Sequence, residues 1–219
     1  MCDEHAASPL LTAPPPPLSA LRQPLHYWYK TALFTPVFCT CGAGGNCLVK
    51  NDDHLALSGA TLTVAKVALA TGVATTVYSD GALALPAGPG AGRFFTIDAT
   101  IDGHEYILHA TVTAAGGATL TSNWVPLLPP ANWSALPRSA HVSFAVAAAP
   151  NADGSVDITV TADAFAAYVV LTTLAHGRFS DNAFMAPPGD TLVQFIPFFD
   201  LDYDALISSL RVEHAGEYM

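Results

Sequence analysis

After residue 25 the chain consists largely of short runs in which apolar and polar side chains alternate. Residues 61–68 place Leu62 and Val64 on one face of an extended chain and Thr61 and Thr63 on the other. This two-residue period predicts a half-buried β-strand. Residues 168–171 and 192–196 predict two further strands.

Two pairs of runs predict β-hairpins. Residues 142–146 and 156–160 alternate on either side of the turn sequence Asn151-Ala152-Asp153-Gly154. Residues 94–99 and 106–112 flank Asp102-Gly103, a dipeptide that favours a two-residue hairpin turn.

Helical periodicity is confined to residues 202–210, with Asp200 or Asp202 as the expected N-cap. Many short strands with almost no helix predict an all-β chain built of sandwiches. The lack of helices between strands argues against βαβ units and a parallel-sheet enzyme core.

Proline marks the expected boundaries. Residues 1–24 include the run Pro14-Pro15-Pro16-Pro17 and predict a disordered tail. The apolar, proline-broken segment 125–130 predicts a stiff connector between one domain at 25–130 and another at 131–219.

Composition excludes several classes of protein. The 219 residues are 51% hydrophobic and 12% charged, with a formal net charge of −10. Such a chain is too apolar to be disordered and too acidic to bind nucleic acid. Its best apolar stretch, 164–175, is too short to cross a membrane. Residues 1–5 do not resemble a secretory signal, so the sequence does not predict a cellular location.

Metal and cofactor sites are not predicted. Cys39, Cys41, Cys47 and His54 have an unusual spacing for zinc, and free buried thiols or one disulfide are the favoured alternatives. An apparent calcium loop in 200–211 has Ala205 and Arg211 where glycine and glutamate are needed, which leaves helix capping as the alternative.

Catalytic residues are not predicted either. The glycine-rich stretch 88–92 is expected to be a surface loop. None of the four glutamates lies in an aromatic-rich strand-end motif that could hold a catalytic carboxylate: Glu4, Glu105, Glu213 and Glu217. His109 is expected to be a packing residue within a strand.

Two other features bear on glycans. Asn132-Trp133-Ser134 would be an N-glycosylation acceptor if the chain enters the secretory route. The three tryptophans, Trp28, Trp124 and Trp133, could stack on sugar faces. Since Trp124 and Trp133 flank the connector, wedging two sandwiches together is the favoured alternative.

The C-terminal part resembles a known family. Residues 155–161 and 168–171 lead to Gly177-Arg178-Phe179-Ser180-Asp181-Asn182-Ala183-Phe184, followed by Pro188-Gly189 and 195–197. This order is similar to the last immunoglobulin-like domain of β-mannosidase, a glycoside hydrolase of the β-galactosidase, β-glucuronidase and β-mannosidase clan. Residues 209–218 also resemble the end of that family.

The resemblance continues upstream with weaker motifs. Residues 25–37 are similar to the segment that leaves the family's catalytic barrel, 48–52 to the first strand of its penultimate sandwich, and 120–124 to its closing segment. There are departures: Val170 stands where the family tends to have Trp, and Arg22 and Pro24 where it tends to have Trp and Met.

By this resemblance the chain is expected to hold two immunoglobulin-like sandwiches. The motif Phe179, Ser180, Asp181, Asn182 and Phe184 is interpreted as structural, with two rings anchoring a turn whose short polar side chains bond their own backbone.

The family removes terminal non-reducing β-D-mannose residues in glycoprotein and oligosaccharide catabolism, using two glutamates of an upstream (β/α)₈ barrel. The first lies in an Asn-Glu pair, which this chain lacks. The resemblance therefore implies a non-catalytic portion that needs no cofactor and whose partner is such a barrel. A free-standing carbohydrate-binding or adhesion module is the alternative. Family members are lysosomal or secreted in eukaryotes and cytosolic or periplasmic in bacteria.

Overall fold

The structure, a computed structural model, describes residues 27–30, 34–42 and 44–219. The predicted tail 1–24 lies outside the described residues. Residues 27–30 are helical. Seven strands follow: β1 (Val37–Cys41), β2 (Asn46–Asn51), β3 (Leu57–Ala68), β4 (Ala74–Leu85), β5 (Ala91–Thr96), β6 (Tyr106–Thr113) and β7 (Thr119–Val125). They form an antiparallel sheet of order β1-β2-β5 and another of order β4-β3-β6-β7.

Seven more strands build a second pair of sheets, of order β11-β13-β9-β8 and β12-β10-β14. Their bounds are β8 (Val142–Val146), β9 (Val156–Ala162), β10 (Ala166–Thr172), β11 (Gly177–Phe179), β12 (Phe184–Ala186), β13 (Gly189–Pro197) and β14 (Arg211–Glu213). One α-helix, α1 (Tyr203–Ser209), precedes β14, and short 3₁₀ turns occupy Pro130–Asn132 and Ala215–Tyr218.

Each pair of sheets encloses its own hydrophobic core, which confirms the predicted all-β fold of sandwiches. Leu62, Val64 and Leu108 lie in the first core. Ile158 and Phe195 lie in the second. In both, the buried side chains are those that alternate with polar residues along a strand, because successive residues of a strand point to opposite faces.

The predicted hairpin at 142–160 and the predicted helix are confirmed. β8 pairs with β9 in antiparallel register, with Phe144 opposite Val160. Asp202 caps α1, where its side chain accepts a hydrogen bond of 2.9 Å from the backbone N–H of Ala205. Asp202 therefore caps a helix N-terminus, which is the alternative to a calcium loop that the sequence offers.

The predicted hairpin around Asp102-Gly103 is wrong. β5 pairs with β2, whereas β6 pairs with β3 and β7, so the chain crosses between the two sheets at this point. Asp102 still forms a local turn by accepting a hydrogen bond from the His104 N–H. At Gly103 a Cβ atom would come within 2.9 Å of the Leu127 and Leu128 side chains, so glycine is required here for close packing.

The clustered cysteines resolve into one disulfide and one free thiol. Cys41 and Cys47 face each other across β1 and β2 and form the disulfide. Cys39 is free and fully buried, and burial raises its pKa to about 12. His54 lies apart from them, with an 88% exposed side chain that contacts Asp53. Among the described residues no cluster of histidine, cysteine, aspartate or glutamate is arranged to hold a metal ion.

Within the described part of the chain, no helix combines the length and apolar character needed to cross a membrane.

Candidate functional site

Aromatic side chains join the two sandwiches. We define the aromatic interface as Trp28, Trp124, Trp133, Phe165 and Tyr168. Trp133 stacks on Tyr168 with ring centroids 5.8 Å apart, and Trp28 lies 5.5 Å from the same tyrosine. Trp124 of β7 lies 5.7 Å from Phe165. All three tryptophans thus contact rings of the second sandwich, as the wedge interpretation predicts for Trp124 and Trp133.

A β-bulge shapes the second sandwich's side of this interface. The pairing of β10 with β12 shifts between Ala166 and Val169, and Tyr168 has a positive φ of 53°. Ala167 and Tyr168 therefore both pack in the interface, while Ala166 and Val169 pack in the core. A regular strand would have sent Ala167 and Tyr168 to opposite faces.

Residues just after the predicted connector 125–130 are held by hydrogen bonds to the first sandwich. The His104 ring Nδ1 lies 2.6 Å from the Asn132 carbonyl oxygen, and the Ala135 N–H donates to the His104 carbonyl over 3.3 Å. The Asn132 residue itself is exposed. The domain boundary between residues 130 and 131 stays a prediction, and Asn132 remains a proposed glycosylation acceptor.

The Phe179–Phe184 motif lies at the edge of the second core. Both phenylalanines are buried there, and Phe179 meets Phe195 edge-on with centroids 5.6 Å apart. Ser180 is bound to Gln194 of β13, because its hydroxyl accepts from the Gln194 N–H and its own N–H donates to the Gln194 carbonyl. These contacts support a structural role for the two rings and the serine.

Asn182 makes the most extensive bonds of the motif. Its Oδ1 accepts from the Leu171 N–H over 2.8 Å and from the Ala183 N–H over 3.0 Å. Its Nδ2 donates to the Leu171 carbonyl over 2.9 Å. Asn182 thus bonds the neighbouring strand β10 as well as its own turn, whereas Asp181 bonds the turn, accepting from the Asn182 N–H.

An open cleft of about 210 Å³ lies where the motif, β7 and residues 27–30 meet. Ser122 and Trp124 of β7 line one side, and Trp28 and Asp181 line others. The Trp28 indole N–H donates to the Ala183 carbonyl over 2.9 Å, which fixes the helical segment to the motif. We call this space the interdomain cleft.

One wall of the interdomain cleft is stiffened by His109 of β6. Its ring stacks on Trp124 at 4.1 Å between centroids, and its Nε2 lies 2.8 Å from the Ser122 hydroxyl. Burial lowers the pKa of His109. A neutral ring packed in this way fits the packing role that the sequence predicts, and it fixes the orientation of both neighbours.

Asp181 is the acid of the cleft. Asp181 is exposed to solvent by surface area, yet the protein atoms around its carboxyl desolvate it and raise its pKa above the ordinary value of 3.8. The hydrogen bond from the Asn182 N–H and the charge of Lys30 oppose that rise. Within the described residues Asp181 is the acid that lines the cleft, and Glu105, Glu213 and Glu217 do not line it.

The raised pKa of Asp181 predicts a pH effect. The folded protein binds this proton more tightly than the unfolded chain, so the resulting stabilisation is full below the unfolded pKa and is lost as the pH rises through the folded pKa. In Asp181→Asn the new amide oxygen can still accept the hydrogen bond from the Asn182 N–H, but the side chain does not titrate. We therefore expect the stability of Asp181→Asn relative to wild type to increase from pH 3 to pH 7. Urea denaturation at both values measures this, and an unchanged or decreasing difference would contradict it.

The second sandwich resembles a known family of domains. Residues 140–217 match the Ig_mannosidase family model, which describes an Ig-fold domain. The C-terminal sandwich is similar to the Ig-fold domain of mannosidases. This finding agrees with the resemblance of residues 155–218 seen in the sequence. No curated protein sequence matches the chain.

Solved structures extend the likeness in fold to most of the chain. The β-D-mannosidase from Dictyoglomus thermophilum matches with a TM-score of 0.67 at 18% identity, over 88% of this chain and 23% of that one. The exo-chitosanase of Amycolatopsis orientalis matches with a TM-score of 0.59 at 21% identity, over 86% of this chain and 26% of that one. The chain therefore spans about a quarter of the length of these glycoside hydrolases.

The structure also shows what sequence reasoning missed. The cleft combines Trp28, Ser122, Trp124 and Asp181, which lie more than 150 residues apart at the extremes. Of these, the tryptophans and Asp181 were singled out for other reasons, and Ser122 was not a candidate. No local motif signals such a site, because it exists only once the two sandwiches are packed together.

Proposed function

We propose that the chain is the non-catalytic C-terminal portion of a β-mannosidase. The observation that carries this proposal is the match of residues 140–217 to the Ig_mannosidase family model. The fold of the wider chain, shared with the Dictyoglomus thermophilum β-D-mannosidase, supports it. Such an enzyme hydrolyses terminal β-D-mannosides, and its substrates would include oligosaccharides released in glycoprotein catabolism.

In this proposal the reaction centre lies in a barrel joined to this chain. Retaining glycosidases place two carboxyl groups about 5–5.5 Å apart on opposite sides of the scissile bond. Within the described residues, the interdomain cleft offers Asp181 without a second acid. The role of the two sandwiches is then to pack beside the barrel and stabilise it, while the aromatic interface holds them as one unit.

The alternative, a free-standing carbohydrate-binding module, gains less support from the tryptophans. Trp133 is only 3% exposed, and Trp28 and Trp124 are half-buried against Tyr168 and Phe165. A sugar-binding platform of several exposed rings is therefore not formed by these three residues.

Two features fit the lysosomal or secreted location that the family resemblance implies, and we propose that location. The Cys41–Cys47 disulfide fits an oxidising compartment. Asn132 is exposed in its sequon and would be open to glycosylation there.

Sequencing the full-length transcript tests the proposal. We expect the reading frame to continue upstream through a (β/α)₈ barrel that carries an Asn-Glu pair and a second catalytic glutamate. An in-frame stop codon directly upstream of the first codon, with no barrel encoded, would contradict the proposal and favour a free-standing module.

A further inference from the structure

We propose that residues 9–18 of the chain's own N-terminal segment dock, in an extended conformation, on the outer face of the β1-β2-β5 sheet. This outer face consists of the strand residues that alternate with those buried in the first core: Phe38, Thr40, Leu48, Lys50, Gly92 and Phe94. Residues 9–18 lie outside the described residues. The inference concerns two parts of this chain and does not rest on the β-mannosidase proposal.

The outer face is more apolar than a sheet face that meets solvent. Leu48 of β2 lies opposite Phe94 of β5, and Lys50 of β2 lies opposite Phe38 of β1. Phe94 is 80% exposed, and Phe38 and Leu48 are half-buried. An antiparallel sheet with one solvated face ordinarily carries polar residues on that face.

The second sandwich follows that ordinary pattern. Asp157, Thr159 and Thr161 alternate along β9 with residues that are buried in the second core. The same chain therefore places polar side chains on an outward strand face in one sandwich and a group of apolar ones in the other. A contiguous apolar patch of this kind marks a surface that packs against another segment.

The N-terminal segment has the chemistry to cover this patch. Residues 6–21 contain no charged side chain, and residues 9–18 contain five prolines and three leucines. Consecutive prolines favour polyproline II, an extended helix without internal hydrogen bonds that docks on aromatic side chains. Lys50, the charged member of the outer face, is already paired with Asp52, so an uncharged segment leaves its charge satisfied.

The segment also starts close to this sheet. Tyr27, where the described residues begin, lines the interdomain cleft together with Asn123. The Asn123 Nδ2 donates to the carbonyl of Cys39, in the middle of β1, over 2.9 Å. Residues 19–26 span at most about 27 Å when extended, and three strands make a face about 10 Å wide. This length is enough to bring residues 9–18 onto the outer face.

Tethering makes so small a contact sufficient. A segment joined to its site by a short linker is present at an effective concentration in the millimolar range, so a few apolar contacts hold it in place. Docking also removes from solvent an apolar patch that would otherwise favour association between copies of the chain.

Paramagnetic broadening of NMR signals measures this contact in the full chain. A nitroxide label is attached through Ser8→Cys in a chain that also carries Cys2→Ser, and the fully buried Cys39 is protected from the reagent. We expect the label to reduce the intensity of the ¹⁵N-amide signals of β2 and β5.

Matched variants connect the broadening to the two partners. Phe94→Ser is expected to restore the intensities, because it removes the most exposed ring of the outer face. Phe199→Ser replaces an equally exposed phenylalanine of the second sandwich, 79% exposed, and should leave the broadening unchanged. Leu10→Ser combined with Leu11→Ser changes the segment alone and should also restore the intensities.

Three results would overturn the proposal. The first is full intensity of the β2 and β5 signals in the labelled chain, and the second is an equal effect of the two phenylalanine variants. The third comes from mixing unlabelled ¹⁵N chain with spin-labelled chain of natural isotope content: broadening as strong as in the labelled ¹⁵N chain would show that a second copy occupies the face. Each of these results leaves the transcript test of the β-mannosidase proposal intact.

Discussion

Replacing Asn182 with alanine should lower the free energy of unfolding by about 3 kcal/mol, because it leaves buried backbone groups without partners. Asn182 is 6% exposed and bonds both the N–H and the carbonyl of Leu171, together with the Ala183 N–H. Alanine cannot bond any of the three groups, and Leu171, which carries two of them, is only 1% exposed. Urea denaturation followed by far-ultraviolet circular dichroism measures the change.

Asn151→Ala is the matched control. That asparagine lies exposed in the β8–β9 turn, where it bonds Ser155 and Asp157. Since water can replace these partners, we expect a loss below about 1 kcal/mol. Losses of similar size in the two variants would show that Asn182 does not hold the motif to β10.

Trp133→Ala should cost about 3–5 kcal/mol and separate the unfolding of the two sandwiches. Trp133 is 3% exposed and stacks on Tyr168 at the centre of the aromatic interface. Alanine leaves a cavity there, and each sandwich still keeps its own core. We therefore expect differential scanning calorimetry to show one transition in the wild type and two in the variant.

Trp133→Phe is the control for that cavity. The Trp133 indole N–H has no hydrogen-bond partner among the described residues, so phenylalanine removes an unsatisfied buried group while it retains an aromatic ring against Tyr168. We expect one transition and a much smaller loss than in the alanine variant. A single transition in Trp133→Ala, with little loss of stability, would mean that this ring does not couple the sandwiches.

The sequence predicted the strands best where a single core face imposes alternation. Residues 61–68 lie in β3, with Leu62 and Val64 in the first core, and the β8–β9 hairpin forms where expected. The pairing of β3 with β4 also shifts register at three points, which the alternation does not indicate. The hairpin predicted at Asp102-Gly103 is wrong because this dipeptide also forms turns in connections between two sheets. Which strands its neighbours join depends on contacts distant in sequence.

The interface could be predicted only in outline. The positions of Trp124 and Trp133 beside the connector suggested a wedge, but the bulge that turns Tyr168 toward them carries no glycine at its positive φ. In the sequence the β-bulge lies within an apolar run that is equally compatible with a regular strand. The disulfide partner of Cys41 likewise stayed open until β1 and β2 were paired.

The central proposal is that this chain accompanies a reaction centre in an attached barrel and does not itself hydrolyse mannosides. The most direct measurement is the release of aryl alcohol from an aryl β-D-mannoside by the purified chain. The account predicts release no faster than in a protein-free control at every protein concentration. Release that rises in proportion to the protein and disappears in Asp181→Asn would contradict it, because the cleft itself would then be an active site.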